Sequence, residues 1–166
     1  MAVRSALVLL AACGATSRAP RAPVSAADAP MLPTLSFRTT SESTWTSEGA
    51  RGHVIVLDVW ATYCKPCRKA FPKLAALSAG RPDLVVVGIS VDEEDATVTQ
   101  FLREVPASFT IARDPTHTVE TGPLKIAALP TVLVVDRQGR IRLRIDQMVE
   151  SDYDDLHAVV DALRAE

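Results

Sequence analysis

The stretch His53-Val54-Ile55-Val56-Leu57-Asp58-Val59-Trp60-Ala61-Thr62-Tyr63-Cys64-Lys65-Pro66-Cys67 decides how this chain is read. Residues 53–60 are β-branched and almost wholly apolar, interrupted at Asp58. That pattern suits a strand covered on both faces, as in a parallel sheet. Residues 65–78 then have helical character, with Phe71, Leu74 and Leu77 or Ser78 on one side. Pro72 is expected to kink this helix. Two cysteines three apart therefore fall where a strand hands over to a helix. At that spacing they can close a small ring disulfide with little chain movement. The Cys64 thiol sits at the positive end of the helix dipole, which favours the nucleophilic thiolate. Lys65 adds positive charge nearby. Cys67 lies one turn in and is expected to be more buried, so Cys64 attacks and Cys67 resolves. A purely structural bridge would stabilise little because its loop is so short. A zinc site would need four ligands, and His53, His117 and His157 are scattered.

Working outward, strands and helices alternate. Leu84–Ile89 is a second apolar run. Val98, Phe101, Leu102 and Val105 recur at helical spacing after Asp92-Glu93-Glu94-Asp95, an acidic first turn. Residues 109–112 read as a short strand and Thr131–Val135 as another. Asp136-Arg137-Gln138-Gly139 is a turn signal. Beyond it Ile141, Leu143 and Ile145 are expected inward and Arg140, Arg142 and Arg144 outward, as in an edge hairpin strand. Leu156, Val159, Val160 and Leu163 mark a closing amphipathic helix. The fold class is α/β: a central mixed sheet with helices on both faces and a C-terminal hairpin plus helix.

The chain has 166 residues, 48% hydrophobic and 23% charged, which excludes a disordered, collagen-like or disulfide-scaffold protein. Its net charge of −2 gives no reason to expect nucleic acid as a partner. A monomer is expected. The run Ala6–Cys13 is too short for the roughly 20 residues that span a bilayer. Arg4 followed by an apolar stretch has the signature of an export signal. Leu10-Ala11-Ala12-Cys13 resembles the lipobox of bacterial lipoproteins, which implies a signal over 1–12 and a lipid on Cys13. Residues 13–33, rich in Ala, Pro and Ser, read as a flexible tether, with Arg18 and Arg21 as solvated charge. The folded domain is expected over 34–166.

The segment Val56–Cys67 resembles the active-site region of the thioredoxin superfamily. Val86–Asp92, Ala128-Leu129-Pro130-Thr131 and Asp136–Ile141 extend the resemblance to the TlpA and ResA group of membrane-tethered thiol-disulfide oxidoreductases, over roughly residues 31–166. The resemblance implies a thioredoxin-like fold and a catalytic Cys64–Cys67 disulfide. It implies a cis peptide before Pro130, presenting the Leu129 backbone to an extended substrate, and a substrate surface that includes Trp60, Tyr63, Lys65 and Pro66. It also implies a buried acid, Asp58, that takes the Cys67 proton. Burial should raise the pKa of such a carboxyl. No cofactor is required. The implied partners are a disulfide-containing exported protein, with apocytochrome c a candidate, and a membrane thiol donor of the DsbD or CcdA type. Two positions depart from the group: Ala70 replaces a common glutamate, and Tyr63 a common tryptophan. Two other functions compete. A Sco-like copper module could recruit His117, although Sco cysteines are usually separated by three residues. A peroxiredoxin would need proline where Asp58 stands.

Overall fold

The computed structural model describes residues 20–166. The expected signal, Cys13, Arg18 and the start of the tether lie outside them. The described chain forms strands β1 (Ser36–Arg38), β2 (Thr44–Thr46), β3 (Val54–Trp60), β4 (Leu84–Ser90), β5 (Thr110–Arg113), β6 (Thr131–Val135) and β7 (Ile141–Asp146). Its helices are α1 (Lys65–Ser78), α2 (Asp95–Glu104), α3 (Thr118–Thr121) and α4 (Tyr153–Ala165). The main sheet has the order β5-β4-β3-β6-β7. β3, β4 and β5 run parallel, while β6 opposes β3 and β7 opposes β6. This is a thioredoxin-like mixed sheet, as expected.

β3 is buried at every position, which is why its sequence shows no alternation. Successive residues nevertheless point to opposite faces. Val54 and Val56 join Leu74 and Leu77 of α1 and Leu156, Val159 and Leu163 of α4. Ile55, Leu57 and Val59 join Leu35, Phe37, Val119 and Leu124. Asp58 shares the phase of Val54 and Val56, and so points beneath α1 and α4. Helix α1 runs through Pro72 without ending.

Gly88 of β4 pairs in register with Asp58. A Cβ there would come 3.0 Å from Trp60 Nε1, 3.1 Å from Ile111 Cδ1 and 3.2 Å from Phe109 Cε2. Glycine is thus required by close approach. Gly88→Ala is expected to cost about 1–3 kcal/mol through overpacking; an unchanged urea midpoint would show that the indole can give way.

Three expectations need correction. The free-tether reading fails for residues 20–33. Leu32 and Val24 donate to the carbonyls of Gly139 and Arg142, and Ile141 donates to Pro30, each at 2.8 Å. Ala29 and Leu32 are buried, and Arg21 pairs with Asp152 and Asp155. The outer edge of β7 offers unpaired backbone groups, and a segment without periodicity satisfies them. Second, Arg142 is buried rather than outward. The β6–β7 register shifts so that Val134 faces Leu143 and Val135 faces Ile141. Arg142 is the extra residue of this bulge; it is held by Asp136, Glu166 and the Val24 carbonyl. Third, the hairpin β1–β2 was not anticipated, because a three-residue strand such as Ser36–Arg38 buries a single side chain, Phe37.

Candidate active site

Cys64 is the N-cap of α1, with extended backbone angles, and its Sγ accepts the Cys67 N–H at 3.2 Å. Pro66 stands in the first turn, where its missing N–H costs nothing. The two cysteines are joined as a disulfide with Cα atoms 5.3 Å apart. Cys67 is fully buried, whereas Cys64 keeps 7% exposure. The asymmetry expected of attacking and resolving sulfurs is therefore present. Once reduced, Cys64 would retain both the Cys67 amide and the helix N-terminus, which stabilise a thiolate.

Facing the disulfide is the Leu129–Pro130 bond, which is cis. Pro130 is buried, its carbonyl taken by the Met148 N–H. Thr131 Oγ1 ties the preceding turn to the Ala128 carbonyl at 2.7 Å. Leu129 is half-buried. Between this turn and α1 lies a groove of about 450 Å³ lined by Tyr63, Cys64, Lys65, Pro66, Glu120 and Ala127–Leu129. Tyr63 is 72% exposed beside it. An extended peptide laid in this groove would pass over Cys64.

Trp60, expected on the substrate surface, is fully buried. Its ring packs 4.7 Å from Phe71 and 4.8 Å from Phe101, so it supports the site from below and does not meet a client. Asp58 is fully buried, and neither carboxylate oxygen has a hydrogen-bond partner among the described residues. Desolvation alone raises its pKa to about 7. The Tyr153 phenol is pushed up to about 12 by burial first, and then by the charges of Asp58 and Glu150. Asp58 is thus felt on the α1–α4 side of the sheet. His117 Nδ1 pairs with Glu120 at 2.6 Å. Among the described residues no three His, Cys, Asp or Glu side chains converge as metal ligands.

Asp92 was read as part of the acidic first turn of α2, and the structure gives it another position. The N-cap of α2 is Glu94, and only Asp95 occupies its first turn as an acid. Asp92 turns back to the loop before the cysteines and accepts the Thr62 N–H and O–H. The signal that could have found it is register: Trp60 pairs with Ser90, so residue 92 continues beside residue 62.

Together the mixed sheet, the Cys64–Cys67 disulfide capping α1 and the opposed cis-proline define a protein of the thioredoxin superfamily. Residues 27–144 match the AhpC/TSA family, and the chain belongs to it. It is similar to the thiol-disulfide oxidoreductase ResA of Bacillus thuringiensis, with 27% identity over 93 residues, 55% of this chain and 53% of that protein. It is 28% identical over 114 residues to the thioredoxin-like protein YneN of Bacillus subtilis, covering 66% of each. A Chlorobium tepidum structure, provisionally named thiol:disulfide interchange protein DsbE, superposes with a TM-score of 0.77 at 26% identity, over 81% of this chain and 96% of the other. The chain spans about half the length of the ResA proteins it matches. Among the described residues no helix is long and apolar enough to cross a membrane.

Proposed function

We propose that the protein is a thiol-disulfide oxidoreductase that reduces disulfides in exported proteins at the cell envelope. The observation that carries this reading is a partly exposed Cys64 at the mouth of α1, opposite the cis Leu129–Pro130 turn. The Cys64 thiolate attacks one sulfur of a client disulfide. The other client sulfur leaves as a thiolate and takes a proton. Cys67 then loses its proton to the Asp58 carboxylate and attacks Cys64 Sγ, releasing the first client sulfur. The client gains two thiols and the protein is left with its disulfide. A membrane dithiol donor of the DsbD or CcdA type returns the electrons, and apocytochrome c is a fitting client. Tyr63, Lys65, Pro66 and the Leu129 backbone form the docking surface.

Turbidity of insulin under dithiothreitol tests the reaction: the protein should shorten the lag, and no acceleration would reject it. Attachment rests on Cys13, where a lipid would supply the hold that the short apolar run cannot. Cys13→Ser should move the protein from membrane to soluble fractions of the producing cells; an unchanged distribution would remove the anchor from the proposal.

A further inference from the structure

We propose that Asp92 is the positioning residue of the nucleophile: its carboxylate holds Thr62, and with it the loop that presents Cys64 at the mouth of α1. The inference rests on the redox reading of Cys64 and Cys67, and nothing in the helix pattern of the sequence pointed to it.

The clamp has three donors and a rigid back. The Thr62 N–H and O–H approach Asp92 at 3.0 and 2.6 Å, and the Ser90 O–H at 2.8 Å. The Asp92 N–H in turn donates to Ser90 Oγ at 3.2 Å. Behind it, the buried Arg113 donates to the Asp92 carbonyl at 2.7 Å and pairs with Asp95. Asp92 itself is only 7% exposed. Hydrogen bonds to a carboxylate in such a setting are worth more than neutral ones. On the other side the loop is closed by the Cys64 N–H to the Ala61 carbonyl at 3.1 Å. Residues 61–64 are thus closed on themselves by this bond, and Thr62 joins the loop to the end of β4.

The same carboxylate brings a negative charge to the loop that carries the attacking sulfur. The Tyr63 phenol, next to Cys64, is raised by burial first and then by the fields of Glu120 and Asp92, so these charges reach the site. Of the charged groups, Lys65 on its own helix and Glu120 on α3 line the groove with Cys64, Asp92 after β4 holds Thr62 two residues away, and Asp58 on β3 is buried six residues before Cys64. The amides of α1 and Lys65 favour the thiolate, and the carboxylates oppose it. Opposition to the thiolate favours the disulfide form, which makes the dithiol a better reductant.

Two variants of the full chain separate positioning from mere stability. Thr62→Val removes one bond and leaves the charge. It should lower kcat for insulin reduction about tenfold, the equivalent of one charge-assisted bond, with KM and the Cys64 pKa unmoved. Asp92→Asn should slow the reaction similarly. It should also lower the Cys64 pKa, read by thiolate absorbance, by about half a unit, and shift the glutathione equilibrium about threefold toward the dithiol. Activity within twofold of wild type in both variants, with an unmoved Cys64 pKa, would overturn the assignment even if both melt earlier. Should the wild type prove inert toward insulin, the redox reading fails, while the thiolate titration still decides the role of Asp92 without any client.

Discussion

Cys67→Ser is expected to accumulate a covalent complex with its client, and Cys64→Ser none. The reason is the burial difference between the sulfurs. Cys64 is the reachable one and meets the helix dipole, so it can open a client disulfide unaided. Release requires a second thiol within bonding reach, and among the described residues only Cys67 offers one, with the two Cα atoms 5.3 Å apart. Removing it leaves the mixed disulfide to decay by outside thiols, which must reach a sulfur held in the groove. Turnover of insulin should fall to the uncatalysed level in both variants, a loss of at least a hundredfold for groups that act as a unit. Non-reducing electrophoresis and mass spectrometry of cells producing each variant read the difference. Adducts on Cys64→Ser, or none on Cys67→Ser, would reverse or dismiss the assigned roles.

Asp58→Asn should give the second large effect, with opposite signs for stability and rate. The folded pKa of Asp58 is raised to about 7 from an ordinary 3.8 by desolvation. A group raised in the folded state leaves stability intact below its unfolded pKa and withdraws it as pH rises through the folded value. Each pH unit of difference is worth about 1.4 kcal/mol. Ionised Asp58 thus burdens the wild-type fold at pH 8 by on the order of 4 kcal/mol. The asparagine variant lacks this burden, so its advantage in urea titration should be largest at pH 8 and vanish towards pH 3. Its reaction should be slower at neutral pH, because resolution by Cys67 loses its proton acceptor, and the inflection of the wild-type rate near pH 7 should disappear. Equal stabilities at pH 8 would mean that Asp58 finds a partner in solution. An unchanged pH–rate profile would take it out of the mechanism.

Much of this site was legible because it is local. The cysteine spacing, the strand before it and the helix after it are written in consecutive residues, and the helix start alone sets which sulfur caps α1. The all-apolar β3 and β4 also announced themselves, since burial on both faces needs no partner to be recognised. Pro130 was placed by resemblance, its cis bond and its position across from the cysteines included, and the structure has that bond cis with Leu129 lining the groove beside Cys64. Trp60 could be placed next to the cysteines, but whether it meets a client depends on Phe71 and Phe101 closing over it.

What the sequence determined by itself was the order of elements and the nature of the reacting pair, because periodicity and capping act within a few residues. What only the tertiary structure decided were the contacts between distant segments. These are the strip 20–33 laid on β7, the bulge that turns Arg142 inward, and the return of Asp92 to Thr62 thirty residues away. Each depends on strand register and on which backbone groups are left unpaired at an edge. Those quantities exist only once the sheet has formed.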